Sequence, residues 1–150
     1  MAAIEIKTID RDTILHLVDG LDSFEKDRAI RAGLVAAVGV FRTKGRSNLR
    51  NWMGQHDHPN GVTGNLLASF KNRVKKSKPG ALAGFEWPKG AHVWFVDQGT
   101  GFRQTKKHDT GIMPASHFWE DARRSEESKA MQRLQNGIEK AVQRINERRN

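Results

Sequence analysis

Cysteine and tyrosine are both absent from this chain. The first absence removes disulfides, thiol nucleophiles and thiolate metal sites together, and it fits a reducing compartment. Long apolar runs are missing as well. No uncharged apolar stretch approaches the ~20 residues that span a bilayer. The opening Met1-Ala2-Ala3-Ile4-Glu5-Ile6-Lys7 is too polar for a signal peptide. These absences predict a soluble chain, made in the cytoplasm, with no membrane partner. Acids are scarce in one region. From Phe41 to Phe85, Arg42, Lys44, Arg46, Arg50, Lys71, Arg73, Lys75, Lys76 and Lys78 face the single acid Asp57, while the first forty residues are slightly acidic.

What is present suits one domain. At 150 residues the chain can bury a core, but 37% hydrophobic content and a mean hydropathy of -0.69 keep that core modest. A net charge of +9 and a pI near 10.3 favour polyanions or acidic protein surfaces as neighbours.

Ile4 to Lys7 alternates like a short strand, and Ile14, Leu17 and Val18 make at most two helical turns before Gly20. Residues 1–20 then read as an N-terminal extension. Asp22 followed by Glu25 forms a capping box, and Ile30, Leu34, Ala37, Val38 and Phe41 continue as a helical stripe. The helix is expected to reach Lys44, with Leu49 and Trp52 as a possible continuation. Gly33 and Gly39 each weaken it by roughly 1 kcal/mol relative to Ala, while its Ala-rich and Gly-rich flanks permit close helix approach. Residues 54–64 form a loop around Pro59-Asn60-Gly61, after which Thr63 is placed to cap a short helix carrying Leu66, Leu67 and Phe70.

Residues 71–79 read as an exposed strand or a flexible basic arm. Ala81 to Phe85 reads as a strand, and Val93 to Val96 fits a buried strand or two helical turns. The chain then breaks at Asp97-Gln98-Gly99-Thr100-Gly101 and crosses a basic loop, 102–113, expected to be flexible. Ser116 is placed to cap a final helix whose stripe runs from Trp119 through Ala122, Leu134, Ile138 and Ile145. About 30 residues make roughly 45 Å of helix. That is more than a small domain covers, so part of it is expected to meet another subunit.

No motif carries catalysis. There is no nucleophile elbow, no serine beside a partnered base, and Gly99-Thr100-Gly101 is too short to cradle a phosphate. Asp97 reads better as a carboxylate capping local amides than as a general base. His56-Asp57-His58 sits in a Gly/Pro/Asn loop without a third ligand at motif spacing, which favours a solvated turn over a metal site. The expectation is a non-enzyme without metal or cofactor. The basic region allows phosphate contacts, yet only Phe70 interleaves with its charges as a stacking aromatic. Trp52, Trp87, Trp94 and Trp119 read as core or interface anchors. Trp94 and Trp119 flank the central loop and are placed to pin its ends together.

Three segments taken together resemble one family. Thr63-Gly64-Asn65-Leu66 is similar to the TGxL segment of the phage tail-component proteins typified by the tenth gene product of coliphage HK97. Trp94-Phe95-Val96-Asp97-Gln98-Gly99-Thr100 resembles that family's aromatic-aliphatic-acid-x-Gly-Thr element, with Asp97 where Glu is usual. Pro114-Ala115-Ser116-His117-Phe118, leading into Trp119 and Ala122, resembles its Pro-x-x-x-Phe approach to the C-terminal helix. The segments match in order and spacing from about Leu21 onward. The basic residues of 102–113 and the insert at His56 to Asn60 depart from the pattern.

The resemblance implies an α+β domain: a long N-terminal helix, a small antiparallel sheet, and a long C-terminal helix packed across the sheet. It implies a head-to-tail joining protein of a long-tailed phage, a neck, tail-completion or tail-terminator component. Such a protein resides in the virion neck or tail after assembly in the bacterial cytoplasm. Its partners would be further copies in a ring, a hexamer by preference, with head-closure and tail-tube or tail-terminator proteins and packaged DNA in the channel. Thr63, Gly64, Leu66, Trp94, Val96, Asp97, Gly99, Thr100, Pro114, Phe118 and Trp119 would define the fold or the subunit contact. Lys71, Arg73, Lys75, Lys76, Lys78, Arg103, Lys106 and Lys107 would face DNA or partners. The alternative from composition is a small basic nucleic-acid-binding protein.

Overall fold

The computed structural model describes residues 4–7, 11–55, 64–75, 80–104, 106–107 and 109–150. Thr63, Lys76, Lys78 and the His56 to Asn60 segment fall outside them, so the expectations placed there are untouched.

The chain runs β1 (Ile4–Lys7), α1 (Arg11–Leu17), α2 (Ser23–Gln55), α3 (Asn65–Ala68), β2 (Phe70–Val74), β3 (Gly80–Phe85), α4 (Val93–Gln98), β4 (Arg103–Gln104), β5 (Asp109–Gly111) and α5 (Phe118–Arg149). The fold is α+β, with a long N-terminal helix, a small antiparallel sheet and a long C-terminal helix.

Helix α2 starts at the expected box. The Glu25 amide donates to Asp22 Oδ1 at 2.9 Å, and the Asp22 amide donates back to Glu25 Oε2 at 3.3 Å. It continues past Lys44 to Gln55, because Phe41, Gly45 and Leu49 extend the buried stripe. Its 33 residues make about 50 Å of helix. Helix α5 lies antiparallel to it. Arg149 pairs with Glu25 at one end of the hairpin, and Asn48 Nδ2 donates to the Phe118 carbonyl at 3.0 Å at the other.

Midway, the two backbones meet. A Cβ on Gly137 would stand 2.8 Å from Gly33 Cα, and one on Gly33 would stand 2.6 Å from the Leu134 carbonyl. Gly33 therefore serves the close approach expected of the helix, against Gly137, which the stripe does not mark. Gly39 does not serve it: a Cβ there meets nothing within 4 Å. The long α5 does not outrun its own domain either. Residues from Phe118 to Ile145 are buried along it, because α2 is equally long and runs beside it.

The three-stranded sheet has the order β1-β3-β2, antiparallel throughout. Ala81 and Ala83 of the central strand are fully buried, and such small side chains let α2 lie close against the sheet. The described segments within residues 1–20 are thus no mere extension, since β1 completes the sheet and Ile4, Ile14 and Val18 join the core. Nor is 71–79 a loop from its start. Lys71 to Val74 lie on β2, which alternates Phe70, Asn72 and Val74 inward with Lys71 and Arg73 outward. Phe70 opens this strand instead of closing α3. Helix α3 has Gly64 at its N-cap position, with φ 72° and no side-chain cap, while Leu66 enters the core.

Phe70 and Phe85 are directly opposite across β2 and β3, with ring centroids 4.7 Å apart. Phe118 and Trp119 of α5 pack edge-on against them at 5.0–6.2 Å. Pairs of this geometry contribute about 0.5–1.5 kcal/mol each beyond area burial. Gly45 makes the seat, since a Cβ there would strike the Trp119 ring at 2.6 Å. Through this cluster the first turn of α5 packs on the sheet.

Candidate functional site: the joint between α4 and α5

Val93 to Gln98 form helix α4, which resolves the strand-or-helix ambiguity of that run. Only one side of it is buried, although both sides carry apolar residues. Val93 and Val96 enter the core, whereas Trp94 and Phe95 remain exposed.

Asp97 follows on the inner side and is 3% exposed. Its Oδ1 accepts the amides of Trp119 at 2.9 Å and Glu120 at 3.3 Å. These are orphan donors at the start of α5, so the carboxylate caps a helix that begins 21 residues downstream, in the favourable direction of its dipole. The expected cap, Ser116, shares the work: its Oγ accepts the Phe118 amide at 3.4 Å. Its Oγ donates to the Val96 carbonyl at 2.6 Å, and its amide donates there at 3.0 Å. His117 takes the N-cap position at φ 51°, without a side-chain cap. Left-handed backbone at a non-glycine residue costs about 1–2 kcal/mol. Its amide donates to the Asp97 carbonyl at 2.9 Å, which holds it there.

Gln98 completes the arrangement. Its Nε2 donates to Asp97 Oδ2 at 2.9 Å and reaches Glu120 Oε2 at 3.4 Å. Glu120 also pairs with Arg124 at 2.8 Å. The Gln98 hydrogen bond, then the Arg124 charge, hold the Glu120 carboxyl below its usual range; nearby His117 adds to the effect.

The Gly-Thr break follows. Gly99 has φ 75°, and a Cβ on it would meet the Met113 carbonyl and the Ala115 amide at 2.8 Å. Glycine is thus needed there both for backbone angle and for space. Thr100 pairs with Met113 twice, amide to carbonyl at 2.9 Å and Met113 amide to Thr100 Oγ1 at 3.1 Å. Beyond this clamp, 102–113 is not plain loop: β4 and β5 form a small hairpin, with Lys106 and Lys107 exposed between them and Arg103 on β4.

The structure therefore brings together Trp94, Val96, Asp97, Gly99, Thr100, Pro114, Phe118 and Trp119 in one unit. The two indoles are not its pin. Trp119 is buried while Trp94 stands outside, and hydrogen bonds through Asp97, Ser116 and Thr100 join the ends. Gly64 and Leu66 lie elsewhere, on the approach to β2. Gln98, Ser116, His117 and Glu120 belong to the joint; of these, Ser116 carries a sequence signal as a helix-capping serine, and the others carry none beyond closeness to Asp97 and Phe118. Ile4, Trp94, Asp97, Gln98, Trp119 and Arg123 border a cleft of about 310 Å³. The buried Trp119 indole N–H has no hydrogen-bond partner among the described residues.

Chemically the joint is a brace. Each Asp97 oxygen accepts at least one hydrogen bond, and the described residues include no cluster of three potential metal ligands. No described helix is long and apolar enough to cross a membrane. Lys71 and Arg73 lie apart from the joint, on the outward face of β2, where Lys71 pairs with Glu86 at 3.2 Å; Lys75 follows that strand. Comparison of the chain with protein-family models, with curated proteins and with solved structures finds no match.

Proposed function

We propose that this protein is a non-enzymatic structural component of a long-tailed phage virion. It would act at the head-to-tail joint as a homo-oligomeric ring, with six copies the preferred number. Head-closure and tail-tube or tail-terminator proteins are its neighbours, and packaged DNA passes through the channel. The resemblance of the three motifs supplies the setting.

The observation that carries the assembly reading is what the joint leaves outside. Trp94 is 59% exposed, Phe95 49%, Phe102 64% and Ile112 67%. A rigid, hydrogen-bonded brace that displays apolar side chains it does not need for its own packing is suited to subunit contact. Sedimentation of the wild-type chain should give a discrete oligomer. Replacing Trp94 and Phe95 by Ser should dissociate it while leaving unfolding within about 0.5 kcal/mol. Only monomers, both alone and with head-closure and tail-tube proteins, would sink the reading.

One observation favours a second reading, a nucleic-acid-binding protein. Strand alternation turns Lys71 and Arg73 to solvent on the same face. Binding to duplex DNA would weaken steeply with salt, and neutralising Lys71, Arg73, Lys75 and Lys76 would lower the logarithmic salt slope by about one per lost phosphate contact. No binding at low salt would end it.

A further inference from the structure

Two surfaces of this chain are complementary, yet they stand too far apart to meet within one molecule. The first is the β4–β5 hairpin. Phe102 and Ile112 are exposed on its flanks, and Lys106 and Lys107 are exposed at its turn. Asp109 is the one acid in 102–113, against Arg103, Lys106 and Lys107. The second is a cleft of about 480 Å³ between α1 and the end of α5. Leu17 and Val142 give it an apolar floor, and the charged side chains lining it are both acids, Glu139 and Glu147. Gln143 donates to Glu147 at 3.3 Å, and among the described residues neither glutamate is in an ion pair. Lys140 and Arg144 lie on the same helix but do not line the cleft.

The hairpin is clamped beside the start of α5 by the Thr100–Met113 bonds. The cleft begins at Glu139, 21 residues beyond Phe118, or about 30 Å along the helix axis. The two surfaces match in kind: apolar flanks with a basic tip, and an apolar floor with acidic walls.

We infer that the hairpin of one copy seats in the α1–α5 cleft of the next. Phe102 and Ile112 meet Leu17 and Val142, and Lys106 and Lys107 meet Glu139 and Glu147. The inference rests on the oligomeric reading above and names its contact. Because the two patches differ, the contact is heterologous: every copy offers one of each, and the series closes into a ring or continues as a filament. Salt weakens the charged part of the contact.

The lack of cysteine makes a direct test clean. Ile112→Cys and Gln143→Cys are made as separate chains, both at exposed positions, with unchanged thermal unfolding as the control. On oxidation, the mixture should give a covalent dimer and neither variant alone should. A chain carrying both should give a ladder of multimers. Reversing charge with Lys106→Glu and Lys107→Glu, or with Glu139→Lys and Glu147→Lys, should weaken association at least tenfold; the chain carrying all four should recover it. Ile112→Cys cross-linking to itself as readily as to Gln143→Cys would overturn the inference. So would oligomers that survive both charge reversals, which would leave the ring reading standing. A wild-type chain that is monomeric throughout would remove both.

Discussion

Along the α2–α5 hairpin, apolar side chains from two helices fill most of the space between them, whereas in the α4-to-α5 joint hydrogen bonds among backbone groups, the Asp97 carboxylate and the Ser116 and Thr100 hydroxyls hold the chain together. The hairpin buries its apolar stripe from Ala29 to Leu49 on one side and from Phe118 to Ile145 on the other. The joint buries Val93, Val96 and Asp97 and leaves Trp94 and Phe95 outside. Apolar burial is non-directional and tolerates small shifts, so it suits a long hairpin. Hydrogen bonds are directional and specify position, so they fix where the exposed Trp94 and Phe95 stand.

If that contrast is right, truncation in the hairpin should cost most. Leu134 is fully buried, and Leu134→Ala should destabilise by about 3 kcal/mol, measured by denaturant unfolding. A loss under about 1 kcal/mol would mean that the hairpin is loosely packed. The joint should break at one atom group. Asp97→Ala strands two α5 amides and should cost about 2 kcal/mol, with faster amide exchange concentrated at Trp119 and Glu120. Exchange that rises evenly over the whole chain would argue against a local cap.

Two glycines sharpen the comparison within the hairpin itself. Gly33→Ala places a methyl 2.6 Å from Leu134 and Ile138 atoms and should lose about 1–2 kcal/mol, even after the better helix propensity of Ala. Gly39→Ala, with open space, should gain up to about 1 kcal/mol. Equal melting shifts for the two would contradict the close crossing.

The smallest effect concerns Glu120. Its carboxyl is held low by Gln98 and Arg124, so its charged form favours the folded chain. That contribution is full above the ordinary carboxylate value of 4.5 and is lost as pH falls through the lowered folded value. Glu120→Gln should therefore flatten the acid side of the melting profile slightly. The group is well solvated, so the change is small.

Much of the hairpin was legible as sequence. The Asp22–Glu25 box and the spacing of Leu34, Val38 and Phe41 are local signals, and local hydrogen bonds and a 3.6-residue period answer them directly. The box forms as read, and the final helix runs where its stripe runs. The joint was less legible. Asp97 reads as a cap, but nothing in the order of residues says that it caps a helix beginning at Phe118, or that it shares that end with Ser116. Capping across a long loop depends on where the loop folds back.

The sequence by itself determined the two long amphipathic helices, the strand from Ala81 to Phe85, the charge asymmetry and the absence of thiol chemistry, because each rests on composition or on contacts a few residues apart. Tertiary structure alone decided that Gly33 meets Gly137 and not Gly39, that Gly45 seats Trp119, and that Trp119 goes inside while Trp94 stays out. Periodicity marks which residues are apolar; only the path of the backbone settles which of them have a neighbour to bury against.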